Sequence, residues 1–490
     1  MDVTRDNFGA ALSEFRKAVV ACDFAAIDME MTGLYESKEW QPHRQDSKDD
    51  RYAKIKRSVE SYGVVQVGIC LFTWIASSEG QGHEQQCRQT DKSEEEEESS
   101  SGYYEARPFN FNVFPCTSVG RKPIETHFGC KNTAFEFLSK NSFDFNKWVY
   151  SGIPYLCTEE AMLIKAERIG LYTNRQTMTV ADDRVSRAFV KGFECALKEF
   201  ISSGERIMRY DTANTYQRKI IHDLVSKHDA LGTKGQNGCI EVFKSTKKAM
   251  AKHTAQRLKL LEASIEESRG FCTIIDLLSE ARKPVVGHNM PLDVLHAYSK
   301  FYKSLPDTRV DFEQAVSKFL PVLIDTKYII ESTPGIKARY KTSNLDEIAP
   351  MLEKEASSGS AQPMIRNHPR FLRHVSNTMH EAGFDAYMTG ATFIRLLNLD
   401  GGLDLSTAAG TSCEHGSELV LYRYINKLYL ALGDELYWQV GGGSDLKNTS
   451  TSTASPAVNA VQNSDDDDMA ISENDELNSS SLLDTVALQS

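Results

Sequence analysis

The chain has 490 residues, 41% of them hydrophobic and 25% charged, with a formal net charge of −12. That length accommodates two or three domains with separate cores, and the composition is ordinary for a soluble globular protein. The negative charge does not exclude a nucleic-acid partner: residues 79–98 carry −6 and residues 441–490 carry −8, which leaves +2 for the remainder. Ten cysteines include no CxxC pair, and Cys70, Cys157 and Cys272 sit in apolar runs, as buried reduced thiols do. An intracellular, reducing setting is expected, in cytoplasm, nucleus or both. The charged N-terminus lacks a signal-peptide core, and no run reaches the ~18 apolar residues of a membrane span, so no membrane partner is expected.

Residues 4–20 place Leu12, Phe15, Ala18 and Val19 on one helical face, with a cap available near Asp6 and Asn7. A strand follows at 24–30, and "GVVQVGICLFTW" (63–74) predicts a second. Residues 77–102 are acidic, polar and aperiodic, the composition of a disordered insertion. "RPFNFNVFP" (107–115) resumes the alternation, so the strands flanking the insertion are expected to pair antiparallel across an expanded hairpin. Long charged helical segments then dominate from about 160 to 270, around a small α/β unit at "YQRKIIHDL" (216–224) and "CIEVF" (239–243). "RKPVVGHNMPLDVLHAYSKFYKSL" (282–305) reads as strand, tight turn and helix, and "LPVLIDTKYIIES" (320–332) as a strand ending at Asp325 and Lys327. Residues 379–398 predict a turn and a helix, with Phe384, Tyr387, Met388, Ala391, Ile394 and Leu397 at helical spacing. Past Trp438 the chain becomes rich in Gly, Ser, Thr, Asn and Asp, and residues 441–490 are expected to form a disordered acidic tail.

The chemistry starts at "FAAIDMEMTGL" (24–34), where Asp28 and Glu30 interrupt an apolar strand. Side chains alternate along a strand, so these two share a face while Ile27 and Met29 point into the opposite layer. Two carboxylates that close raise each other's pKa unless a cation neutralises them, and hard divalent ions are held by such acids. Taken alone, the pair is equally at home on a solvent-facing edge strand. Asp293, in "GHNMPLD", opens a helix behind a buried strand, where an acid is ordinarily a helix-start residue. Asp385, in "HEAGFDAYMTG", lies on an otherwise apolar helical face, where an unpaired acid would cost several kcal/mol. His380 stands five positions earlier. From the residues alone these amount to an acid-lined divalent-metal site with a nearby base.

The order Asp-x-Glu, Asp, His-x4-Asp resembles the DEDDh exonucleases, and the wording is closer still to the poly(A)-specific ribonuclease family. "RYAKIKRSVESYGVVQVGICLF", "FNFNVFP", "FDFNKWVYSGIPYL", "NTYQRKIIH", "GHNMPLDVLHAY", "DTK" and "HEAGFDAYMTG" resemble that family's segments in its order, over about residues 5 to 440. The resemblance implies a mixed α/β, ribonuclease H-like core with an inserted small α/β nucleic-acid-binding domain. The nuclease parts would be residues 1–160 and 272–440, and the insert residues 161–271. It implies a 3′→5′ exoribonuclease that removes poly(A) tails and releases 5′-AMP, with two Mg²⁺ ions in its site and Mn²⁺ able to substitute. Asp28, Glu30, Asp293 and Asp385 would be the ligands and His380 the general base.

For RNA contacts, Lys327 of "DTK" matches a family lysine close to bound RNA, and His288 and Asn289 lie beside a metal acid. Phe111, between Phe109 and Phe114, offers either core packing or a stacking platform. Met31 stands where the family has an aromatic and Met29 where it has a small residue, departures that bear on adenine preference. Arg218 and His222, one helical turn apart, resemble the single-strand-binding domain named for that spacing, with Lys244, Lys247, Lys248, Lys252 and Arg257 near in sequence as phosphate contacts. The expected partner is single-stranded RNA with a free 3′ end, and a homodimer is implied by the resemblance only. An RNA-recognition-motif domain finds no room after residue 440, so cap-stimulated activity is not expected. Two alternatives stand beside the deadenylase: a family trimming nuclease for small non-coding RNAs, and an RNA-binding pseudonuclease or scaffold. The complete acid set speaks against the latter.

Overall fold

A computed structural model describes residues 1–76, 102–120, 122–173, 184–236, 238–358, 363–371, 380–399, 423–432 and 435–441. The acidic insertion and the acidic tail lie outside the described residues. The chain divides into two units: residues 1–117, 124–161 and 268–443 form one, and residues 118–123 and 162–267 belong to the other. Among the described residues no helix is long and apolar enough to cross a membrane.

The larger unit is built on one mixed sheet. Strands β1 (Asp2–Val3), β2 (Phe24–Met31), β3 (Val64–Ile75) and β4 (Tyr103–Pro115) take the spatial order β1-β4-β3-β2, which continues through Val285–Gly287 to Leu323–Asp325. The β2–β3 and β3–β4 pairs are antiparallel, as the expanded hairpin predicts, while the last two strands run parallel to β2. An antiparallel meander whose first strand is extended by parallel strands is the ribonuclease H-like arrangement. β2 is covered on both faces. Ala25, Ile27, Met29 and Met31 join the core containing Ala11, Phe15, Ala18 and Val19 of the Phe8–Ala21 helix. Phe24 and Ala26 pack with Phe72, Ala386, Phe393 and Leu397 under the Ala382–Leu399 helix. By alternation, Asp28 and Glu30 continue that second face and meet the first turn of the covering helix.

Two sequence expectations change here. The segment 320–332 is a strand only over Leu323–Asp325; Asp325 then caps a helix, Thr326–Ser332, by accepting from the Lys327 N–H. An Asp ahead of Thr-Lys-Tyr is an N-cap signal as well as a strand end, and the cap prevails. Phe111 is wholly buried, stacked on Phe109 and edge-on to Phe15, so it cannot serve as a platform for bases. Met31, 9% exposed, is likewise drawn into that core, which leaves little of it for contact with RNA.

The smaller unit has a three-stranded antiparallel sheet, Ile207–Asp211, Cys239–Lys244 and Leu231–Gln236, with the middle strand in sequence at its edge. The Arg184–Ser202 and Thr215–Ser226 helices cover it through Phe193, Leu197, Phe200, Ile220, Ile221 and Leu224.

Candidate active site

One rung of the sheet runs Asp28, Gly68, Asn110, Asp2, and the rung two residues along runs Glu30, Gln66, Asn112. Asp28 and Glu30 therefore project beside a column of polar side chains. Gly68 has a steric purpose: a Cβ there would stand 1.7 Å from the carbonyl oxygen of Ala382. The missing side chain lets the start of the Ala382–Leu399 helix lie directly on the sheet. Asp385, in that first turn and 8% exposed, thereby reaches Asp28 and Glu30, and one ligand atom from each of the three lies within 4.8 Å of the others. Asp293 is the third residue of the Pro291–Phe301 helix, and the Met29 peptide group, between the two strand acids, favours its charged form.

Burial and mutual repulsion set the charges. Asp28 is raised well above the carboxylate range by burial first and then by Asp385, Asp293, Glu30 and Asp346. Glu30 is raised by burial and then by Asp385 and Asp293. Burial pushes Asp293 to about 8, with Asp325 adding to it. Burial and then Asp346 push Asp385 to about 7, while the His380 peptide group favours its charged form. Among the described residues, Asp385 Oδ1 is buried without a partner. Four acids that suppress one another's ionisation, one with an idle buried oxygen, form a donor set that suits a hard divalent cation.

His380 adopts a left-handed backbone, φ 66°, immediately before the helix, and its ring meets Phe137 edge to face with centroids 4.7 Å apart. Asp325 sits beneath the opposite side of the site and is fully buried. Its Oδ1 accepts from Asn289 N (2.8 Å) and Lys327 N (3.0 Å), and its Oδ2 from Met290 N (3.1 Å) and Tyr429 N (2.9 Å). These bonds fix the turn at Asn289, φ 57°, from which the Asp293 helix departs. The Lys327 ammonium lies 5.2 Å from the centre of the Tyr429 ring. His288 Nδ1 is 2.9 Å from the Thr326 hydroxyl, which itself donates to Gly287 O, so the imidazole carries its proton on Nδ1. Burial and then Lys327 lower His288 to about 3, which keeps it neutral.

Asp28, Glu30 and Asp385 thus come together, with Asp293 close enough to act on the two strand acids; His380 stands just ahead of the Asp385 helix with its ring on Phe137. In the smaller unit, Arg218 Nε donates to Thr212 Oγ1 at 3.1 Å and His222 Nδ1 lies 2.7 Å from Thr233 Oγ1, so both are already engaged. Burial, then Arg257 and Arg218, lower the His222 pKa. Lys244 donates to Ser203 O and lies over the Phe200 ring. Sequence reasoning missed Asp346, Phe137 and the two strand asparagines. The asparagines carry the same signal as the acids, polar residues at alternate positions of an apolar strand. Asp346 and Phe137 carry none.

The model of the family described as CAF1 family ribonuclease matches residues 3–393. The poly(A)-specific ribonuclease PARN of Arabidopsis thaliana is 28% identical, the match covering 91% of this chain and 69% of the relative. The poly(A)-specific ribonuclease PNLDC1 of Mus musculus is 26% identical, over 81% and 71%. The pre-piRNA 3′-exonuclease trimmer of Bombyx mori is 25% identical, over 81% and 71%.

Proposed function

The chain belongs to the CAF1 family of ribonucleases, and from that premise we propose that it is a metal-dependent 3′→5′ exoribonuclease acting on poly(A) or similar single-stranded 3′ ends. The observation that carries the reading is the convergence of Asp28, Glu30 and Asp385 within 4.8 Å, with Asp293 close enough to raise the pKa of both strand acids. These four acids would hold two divalent cations, Mg²⁺ with Mn²⁺ able to substitute, which neutralise charge at the scissile phosphate and acidify the attacking water. His380 accepts the proton of that water as its oxygen attacks phosphorus. The P–O3′ bond breaks on the opposite side and the departing oxygen takes a proton from solvent. The products are a nucleoside 5′-monophosphate and an RNA one residue shorter. Phe137 meets the His380 ring edge to face and restrains it. Lys327, with no carboxylate bound to it among the described residues, is available to an RNA phosphate. Assembly as a homodimer is part of the same proposal.

A second reading, trimming of small non-coding RNAs, draws on the similarity to the Bombyx trimmer and uses the same chemistry. Purified protein with Mg²⁺ should shorten 5′-labelled oligo(A) one nucleotide at a time, and Asp28→Ala should stop it while keeping the thermal transition. Full-length RNA after long incubation with wild type would overturn the nuclease reading. Equal rates on A, U and mixed tails would favour the trimmer.

A further inference from the structure

Asn110 is 1% exposed in the middle of β4, and its three amide hydrogen bonds go to the turn that carries His380 or to Asp2. Its Nδ2 donates to Glu381 Oε1 at 2.8 Å and to Asp2 Oδ1 at 3.3 Å, and its Oδ1 accepts from Gly383 N at 3.3 Å. The orientation of the amide is dictated by chemistry: carboxylates only accept and a peptide N–H only donates. Asp2 is held in turn by Asn112 Nδ2 at 3.0 Å and Lys147 Nζ at 2.9 Å.

The turn needs such an anchor. His380 has φ 66°, a conformation that costs a residue with a Cβ on the order of 1–2 kcal/mol and persists only where its surroundings impose it. From residue 381 onward the chain is pressed onto the sheet at two points without room to spare. A Cβ on Gly68 would overlap Ala382 O, and a Cβ on Gly383 would stand 2.7 Å from Asn110 Cβ. Glu381 O then accepts from Phe384 N and Asp385 N, passing the position of the turn into the helix. Asn110 thus grips the turn by a side chain next to His380 and by the backbone three residues on.

We propose that Asn110, through Glu381 and Gly383, is a positioning residue for His380, setting where the proton-accepting imidazole stands. The proposal rests on the reading of His380 as general base.

The test is single-turnover and steady-state cleavage of oligo(A) by full-length Asn110→Ala, Glu381→Ala, Glu381→Gln, His380→Ala and the double variant N110A/H380A. Asn110→Ala is expected to lower kcat about 10–100-fold, the usual cost of removing an outer support, with KM within about twofold. Because Asn110 acts through His380, N110A/H380A should be no slower than His380→Ala, whereas independent effects would multiply. Glu381→Ala should reproduce much of the loss. Glu381→Gln, which keeps an oxygen for the Asn110 amide, should recover most of it. A kcat for Asn110→Ala within about twofold of wild type, or a multiplicative double variant measured against the residual rate of His380→Ala, overturns the proposal. A His380→Ala as fast as wild type overturns the general-base reading itself, and the proposal with it. Should Asn110→Ala fail to fold, the Glu381 pair, on a half-buried residue, decides by the same two criteria.

Discussion

Asp325 and Asp385 are both nearly removed from solvent, at 0% and 8% exposure, and both follow or open a helix beside the same sheet. Their surroundings differ. Asp325 receives four backbone N–H bonds, two per oxygen, and joins the Asn289 turn, the Thr326–Ser332 helix and the strand at Tyr429. Asp385 faces three other carboxylates and a fourth at Asp346, and one of its oxygens has no partner. A buried acid saturated by donors is part of the frame, whereas a buried acid that meets other acids is poised for something positive.

The sharpest way to break that distinction is to remove each acid in turn. Asp325→Ala leaves four buried donors unpaired and should cost about 3–5 kcal/mol in urea unfolding. Asp385→Asn should leave metal-free stability within about 1 kcal/mol, or raise it, because it relieves repulsion. It should nonetheless lower turnover by more than about a hundredfold, beyond what outer supports cost. Equal losses of stability would erase the difference.

A smaller effect follows from charge. Asp293 and Asp385 titrate at about 8 and about 7 in the folded chain, above their unfolded values. Without metal the folded state therefore binds more protons than the unfolded one between pH ~4 and ~8. These groups consequently withdraw stability as pH rises through that window. A cation that binds only the ionised set must displace those protons below pH 8. Saturating Mg²⁺ should thus raise the melting temperature more at pH 8 than at pH 6, by the equivalent of about 2–3 kcal/mol near a hundred times Kd. A metal-induced shift that is equal at both pH values, or absent, would contradict the assignment.

His296 supplies the smallest effect and a third kind of buried polar group. It is fully buried, neither ring nitrogen has a partner, and burial followed by Lys300 lowers its pKa to about 3. The unfolded imidazole takes up a proton below about 6.5 and the folded one does not, so stability falls as pH drops through 6.5 toward 3. The contribution is about 1.4 kcal/mol per pH unit, and His296→Leu should flatten that slope between pH 6 and 5. An unchanged slope would show that the ring finds a partner.

The sequence revealed what lies within one period of itself. Asp28 and Glu30 announced a shared face because strand alternation needs only three residues, and β2 and β3 followed from the same rule to within a residue at each end, while β4 starts four residues earlier than expected. Asp293 and Asp385 were legible only as part of a family pattern, since nothing local distinguishes a metal acid from a helix-start acid. Phe111 was left between core and platform because alternation says which residues share a face but not what covers it; burial decides for the core. Lys327 was placed at a strand end because the capping role of Asp325 competes with strand continuation over the same three residues. Phe137 reaches His380 and Asp346 reaches Asp28 across more than 200 residues of chain, and only the folded sheet brings them there.

That separation has a consequence for synthesis. Asp28 and Asp385 belong to opposite ends of the core, and Gly68 exists to let the later segment dock on the earlier strands. At translation rates of about 5–20 residues per second, the first acid leaves the ribosome on the order of tens of seconds before the last. Until the segment bearing Asp385 emerges, the acid set stays incomplete, and the site is assembled only when Ala382–Leu399 docks on the β2–β4 strands.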